Sequence, residues 1–154
     1  MQDKLTDPQN DLFQWIKNYI EEFSKRGADA IKFQKRSNEN LFSKEKFNQA
    51  YDNENSFGYT YGEHRNYLEF DINQMNELKE VCKKFKIDFI CTPFDEKSLE
   101  ELIQINTKIF KIASFDMGNL SLITKLIKSN ANFILSCGGS NLDIITKTVN
   151  FILK

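Results

Sequence analysis

The sequence predicts a single α/β domain, part of a (β/α)8 barrel with parallel strands alternating with helices, and three observations support this. Segments with strand character begin at about residues 88, 109 and 132, so a strand-plus-helix unit recurs about every 20 residues. Strands that alternate with helices need crossover connections and form a parallel sheet. No G-x-G-x-x-G or G-x-x-x-x-G-K-[ST] follows any of them, which removes the signature of the phosphate-binding doubly wound sheets. A full barrel takes about 250 residues and eight strands, whereas four strands are visible in these 154 residues. The chain therefore reads as one incomplete barrel domain over residues 1–154.

The elements follow from local chemistry. Asp7-Pro8 is a helix start, with Asp7 as N-cap and Pro8 at the first helical position. Leu12, Phe13, Ile16, Tyr19, Ile20 and Phe23 then recur at helical spacing, and Gly27 supplies the stop. Residues 28–34 read as a strand, with Ile31 and Phe33 on one face and Ala30, Lys32 and Gln34 on the other. Residues 35–70 show no periodicity and read as a long functional or disordered loop. Asp71 with Gln74 has the form of a capping box ahead of Met75, Leu78, Cys82 and Phe85. Residues 88–92, 109–113 and 132–136 are the later strands. The helices between and after them carry Leu99, Leu102 and Ile103, then Leu120, Ile123 and Ile127, then Leu142, Ile145, Val149 and Ile152, with Asp95 and Asn141 as caps.

Composition narrows the class. Net charge is −1 and lysines are interspersed with acids, so there is no concentrated basic face for nucleic acid or an acidic membrane. No apolar run approaches the roughly 20 residues needed to span a bilayer, and residues 1–10 lack an apolar signal core. Cys82, Cys91 and Cys137 form no C-x-x-C pair and read as buried free thiols in a reducing cytoplasm.

In barrels of this type the reacting groups gather at the C-terminal ends of the strands. Lys32 and Gln34, Thr92, Lys111 and Ser114, and Ser136 all fall there. In Ala-Ile-Lys-Phe-Gln and Ile-Phe-Lys-Ile-Ala-Ser the large flanking residues take the outer face, which turns each lysine inward. Two inward ammonium groups need a shared phosphate or carboxylate ligand; the alternatives are that each pairs with a barrel carboxylate or reaches out to solvent.

Five blocks resemble the sialic acid synthase family. Residues 27–34, GADAIKFQ, are similar to its G-A-D-x-x-K-F-Q segment. Thr60-Tyr61-Gly62-Glu63-His64-Arg65 with Leu68-Glu69-Phe70 resembles T-Y-G-E-H-[KR]-x-x-L-E-F. Residues 89–95, FICTPFD, resemble F-x-[SC]-T-P-F-D; 110–114, FKIAS, resemble F-K-[IV]-[AG]-S; and 134–138, ILSCG, resemble I-L-S-T-G. The resemblance implies a phosphoenolpyruvate-dependent transferase of carbohydrate biosynthesis, condensing phosphoenolpyruvate with N-acetylmannosamine or its 6-phosphate. Lys32, Lys111, Ser114 and Ser136, helped by Thr92, would then hold the phosphate and carboxylate of phosphoenolpyruvate, and Gln34 and Phe94 would contact the N-acyl sugar. A divalent metal, manganese or magnesium, would polarise the sugar aldehyde. C3 of phosphoenolpyruvate attacks that carbon, water adds at C2, and phosphate leaves.

Departures from the family pattern are also readable. Its first strand, A-E-I-G-x-N-H-x-G, with an acidic catalytic residue, has no counterpart, and neither do the later strands with the metal-binding histidines or the C-terminal antifreeze-like domain. Phe115 takes the place of a small glycine, and Cys137 and Gly139 stand where Thr and Met are usual. The expectation is a chain inactive by itself, acting as a homo-oligomer or with a complementing chain. Two rival readings are a Schiff-base aldolase with Lys111 as nucleophile and a non-catalytic half barrel that pairs with another chain. His64, the only histidine, reads as a loop organiser, Arg65 as a partner of Glu63 or Glu69 or else of an acidic substrate group, and Trp15, Tyr59 and Tyr61 as packing residues.

Overall fold

The computed structural model describes residues 8–154; the cap expected at Asp7 lies outside them. Helix α1 (Pro8–Lys25) leads into strand β1 (Ala30–Lys35). Gly27 adopts φ +81 between them, the left-handed conformation that lets a helix end, and the Ala28 N–H donates back to the Phe23 carbonyl. Three short helices follow, α2 (Asn38–Leu41), α3 (Lys44–Phe47) and α4 (Tyr61–Tyr67). Regular alternation then sets in with α5 (Ile72–Lys84), β2 (Asp88–Pro93), α6 (Glu96–Gln104), β3 (Ile109–Ile112), α7 (Leu120–Lys128), β4 (Asn132–Leu135) and α8 (Leu142–Ile152). A single 3-10 turn, Ser114–Asp116, links β3 to α7.

The four strands are parallel and lie in the order β1-β2-β3-β4. A doubly wound sheet reverses its strand order at a switch point; here each strand simply joins the one before it. This is the arrangement of a barrel wall, and the core sits on one side of it. Phe89, Cys91, Phe110 and Ile112 pack against Phe13 and Ile20 of α1, Met75, Leu78 and Cys82 of α5, Leu99 and Leu102 of α6, and Leu122 and Leu126 of α7. Among the described residues, no helix is long and apolar enough to cross a membrane.

The caps expected at Asp71, Asp95 and Asn141 are present, each side chain accepting from the backbone N–H three residues on, and Asp71 with Gln74 closes a full capping box. Strand ends differ from the predicted ones by one or two residues, with β1 running from Ala30 to Lys35. Parts of the amphipathic reading need correction. Leu12, Tyr19, Phe23, Leu120, Ile127, Leu142 and Val149 are exposed, because only a narrow stripe of each helix meets the sheet. Trp15 and Tyr59, expected to pack, are exposed at 63% and 91%.

Residues 35–70 are the larger correction: the stretch read as loop holds α2, α3 and α4. None of the three exceeds seven residues, too few for an apolar period to register. A second capping box holds α4 at its start. The Thr60 side chain accepts from the Glu63 N–H at 3.2 Å, and Glu63 Oε2 accepts from the Thr60 N–H at 3.0 Å and the Tyr59 N–H at 2.7 Å. Gly62 is buried, and a Cβ there would overlap the ring carbons of Phe47. The glycine of the T-Y-G-E-H block is thus set by packing: only a residue without a side chain lets α4 lie against α3.

Candidate functional site

Parity along the strands sorts the predicted site residues onto one face. The helix side takes Ile31, Phe33, Cys91, Phe110, Ile112, Phe133 and Leu135, so Lys32, Gln34, Ile90, Thr92, Lys111, Ile134 and Ser136 fall on the opposite side. Register aligns them further. Gln34 pairs with Thr92 and Lys111 with Ile134, and one step beyond the pair Cys91 and Phe110 sets Thr92 beside Lys111. Gln34, Thr92 and Lys111 therefore form one row across three strands. Lys32, level with Ile90 and hence with Ile109, lies one row nearer the strand starts. Two strand spacings and two residue rises separate the Lys32 and Lys111 Cα atoms by roughly 12 Å.

The lysines share a face as expected, but neither is buried as expected. Lys32 is exposed and Lys111 half-buried, although Thr92 in the same row is fully buried. The buried lysine of β1 is Lys35, on the helix side, where its Nζ lies 3.5 Å from Glu101 and donates to the Arg36 carbonyl. Lys32 and Lys111 make no ion pair among the described residues, so separate barrel carboxylates do not hold them there, whereas Lys32 does reach solvent, the other alternative to a shared ligand.

Around this row the strand ends bring further polar groups. Ser114 opens the turn after β3, and a side-chain carbon at Gly138 would lie 4.0 Å from its Cβ, so the segment leaving β4 passes directly over it. The Ser136 N–H donates to the Ile112 carbonyl at 3.2 Å, which ties that segment to β3. The Thr92 hydroxyl oxygen is buried without a hydrogen-bond partner. Such a group costs about 1–3 kcal/mol unless something answers it.

At the β1 edge, Arg36 organises Gln34 and Phe94. Its guanidinium lies 3.9 Å from the Phe94 ring centroid, its Nη2 donates to Gln34 Oε1, and its Nη1 donates to Glu69 Oε1 at 3.2 Å. The Arg36 N–H donates to the second Glu69 oxygen, also at 3.2 Å. Phe115 meets Phe94 at 5.6 Å between centroids and is 70% exposed, so the ring that replaces a small glycine stands at the rim instead of filling the row. With Glu69 taken by Arg36 and Glu63 taken by the cap of α4, the pair expected for Arg65 does not form, and its Nε is buried without a partner. His64 stacks on Phe57 at 5.8 Å and accepts from the Phe57 N–H at 3.3 Å, as a loop organiser would.

Sequence reasoning passed over two groups here. One is Arg36, whose partner Glu69 is distant in sequence and follows no period. The other is Asp116, two residues after Ser114. It is buried, its Oδ1 accepts from Asn119 Nδ2 at 3.2 Å, and its Oδ2 has no partner. Burial pushes its carboxyl above the usual aspartate range. Among the described residues no group of three His, Cys, Asp or Glu side chains comes together, so the residues present do not fit the metal that the resemblance implies, and no step is assigned to one.

The thiols divide clearly. Burial pushes Cys82 and Cys91 up to about 12, while Cys137, expected to be buried like them, is exposed just past the end of β4. Titration of the native chain with a disulfide reagent near pH 8 is expected to label Cys137 alone; fast labelling of a second thiol would contradict the buried placement. The pH sign follows. The unfolded thiols ionise near 9.0 and the folded ones near 12, so their contribution to stability is complete below pH 9 and is lost as pH rises through that window.

Comparison with known proteins identifies the family. The chain is 34% identical over 133 residues to the N-acetylneuraminate-9-phosphate synthase of Drosophila melanogaster, covering 86% of this chain and 36% of that protein. It is 40% identical over 87 residues to the N,N'-diacetyllegionaminic acid synthase of Campylobacter jejuni, covering 56% of this chain and 26% of that one. The crystal structure of the N-acetylneuraminic acid synthetase of Leptospira borgpetersenii, in complex with citrate, superposes with a TM-score of 0.74 at 29% identity, over 92% of this chain and 45% of that one. The chain thus spans little more than a third of the length of the curated relatives it matches. The family model for the NeuB family matches residues 19–154, and the chain belongs to that family, the sialic acid synthases.

Proposed function

We propose that this chain carries the phosphoenolpyruvate-binding part of a sialic acid synthase-type site, with N-acetylmannosamine or its 6-phosphate as the second substrate. One observation carries the reading: two lysines with no carboxylate partner among the described residues share a face with a buried, unanswered threonine hydroxyl, beside two serines at the strand ends. A small dianion supplies what that set lacks. In this reading Lys111 and Lys32 neutralise the phosphate and carboxylate, and Ser114, Ser136 and Thr92 donate hydrogen bonds to their oxygens. Groups held ready in this way stabilise charge as it develops on the departing phosphate. Asp116, two residues after Ser114, is buried with one oxygen free, and burial holds its carboxyl above the usual aspartate range. Gln34 and Phe94, at the other end of the row, contact the acyl sugar.

Calorimetric titration of the chain with phosphoenolpyruvate tests the proposal. Saturable binding that inorganic phosphate displaces is expected. Heats no different from dilution would refute it.

A further inference from the structure

The Arg36 cluster specifies what Gln34 can recognise. A guanidinium has five N–H donors and no acceptor. The Gln34 atom that meets Arg36 Nη2 is therefore the carbonyl oxygen, and the assignment of its amide is settled by chemistry. With that oxygen turned toward Arg36, the group Gln34 presents away from it is its NH2, a donor. Arg36 is itself held from three sides: the face of Phe94, the Glu69 carboxylate on its side chain, and the same carboxylate on its backbone N–H. Glu69 and Arg36 are mostly shielded from water, with side-chain exposures of 12% and 17%, which strengthens the pair beyond a surface ion pair.

We infer that Arg36 is a positioning residue which turns Gln34 into a dedicated hydrogen-bond donor and holds the Phe94 ring in place, so that this end of the site selects the acyl carbonyl of an N-acylated sugar over a free amino sugar. The inference rests on the reading of Gln34 and Phe94 as sugar contacts. An N-acyl group offers an oxygen acceptor for the amide NH2 and an apolar carbon for the ring. An ammonium in the same place offers only donors and would meet the Gln34 NH2 and the Arg36 charge.

The test measures N-acetylmannosamine, mannosamine and phosphoenolpyruvate binding, with thermal melting, on the wild-type chain and on Arg36→Lys, Arg36→Ala and Gln34→Glu. Loss of one oriented hydrogen bond weakens N-acetylmannosamine binding about tenfold in Arg36→Ala. Arg36→Lys is not expected to rescue it, because an ammonium keeps the charge for Glu69 but lacks the planar fork. Gln34→Glu keeps an acceptor for Arg36 and removes the donor, so it is expected to lose the preference for the acylated sugar. Phosphoenolpyruvate binding should stay within about twofold of wild type in the two Arg36 variants. Wild-type binding of the sugar that survives unchanged in Arg36→Ala or Gln34→Glu overturns this inference alone. Equal loss of both ligands together with a lowered melting temperature would make Arg36 merely structural and overturn it too. A wild-type chain that binds phosphoenolpyruvate but no sugar overturns the sugar-contact reading and this inference with it.

Discussion

Lys111→Ala is expected to weaken phosphoenolpyruvate binding by about 10- to 100-fold, with Lys32→Ala costing less, about 3- to 10-fold. The difference follows from placement. Lys111 is half-buried in a row with Thr92, flanked by Ile109 and Ile134, where the effective dielectric is reduced. Lys32 is exposed, and an exposed charge is screened by water and salt. Raising the salt concentration should therefore weaken wild-type binding and narrow the gap between wild type and Lys32→Ala. Isothermal calorimetry on the two variants reads both effects. Binding unchanged in both would remove the lysines from the site.

Phe110→Ala is expected to destabilise the fold by about 3–5 kcal/mol, the usual cost of emptying a fully enclosed aromatic site. Phe110 is completely buried and is the largest such side chain, with strand partners Cys91 and Phe133. Total stabilities of about 5–15 kcal/mol are ordinary for a domain, so the variant should unfold at a much lower urea concentration. A loss below about 1 kcal/mol would mean that the helix layer does not enclose the ring. The contrast with its neighbour is informative, because residues 110 and 111 point to opposite sides of β3. Phe110→Ala reports on the helix layer and Lys111→Ala on the ligand. Lys111→Ala should leave the urea midpoint nearly unchanged, since it removes neither core packing nor an ion pair.

The alternating part of the chain was legible because each strand carries a strict parity and each helix opens on a side-chain cap. Ile31 and Phe33 against Lys32 and Gln34 is enough to assign faces, and Asp71-x-x-Gln74 is enough to start a helix. Residues 35–70 were illegible for the opposite reason: α2, α3 and α4 are held by tertiary contacts such as Phe47 on Gly62, not by a period. At the site, sequence order showed which side chains reach the strand ends but not how deeply they sit. The lysines were read as enclosed, as in a closed barrel, whereas the four-strand arc leaves Lys32 exposed and Lys111 half-buried. The ion pair of Arg36 with Glu69 and the depth of Asp116 have no local signature at all, because both depend on segments far apart in the chain.

The unbroken strand order has a bearing on how the molecule is made. Every strand after β1 hydrogen-bonds to its immediate predecessor, so each unit can dock as it leaves the ribosome without waiting for anything synthesised later. The costliest loop closure is the first, joining Ala30 to Asp88, and the excursion it spans is stiffened by the short helices and their local caps. The later closures are each shorter, which keeps contact order low for a parallel sheet and shortens the time that unpaired edges are exposed.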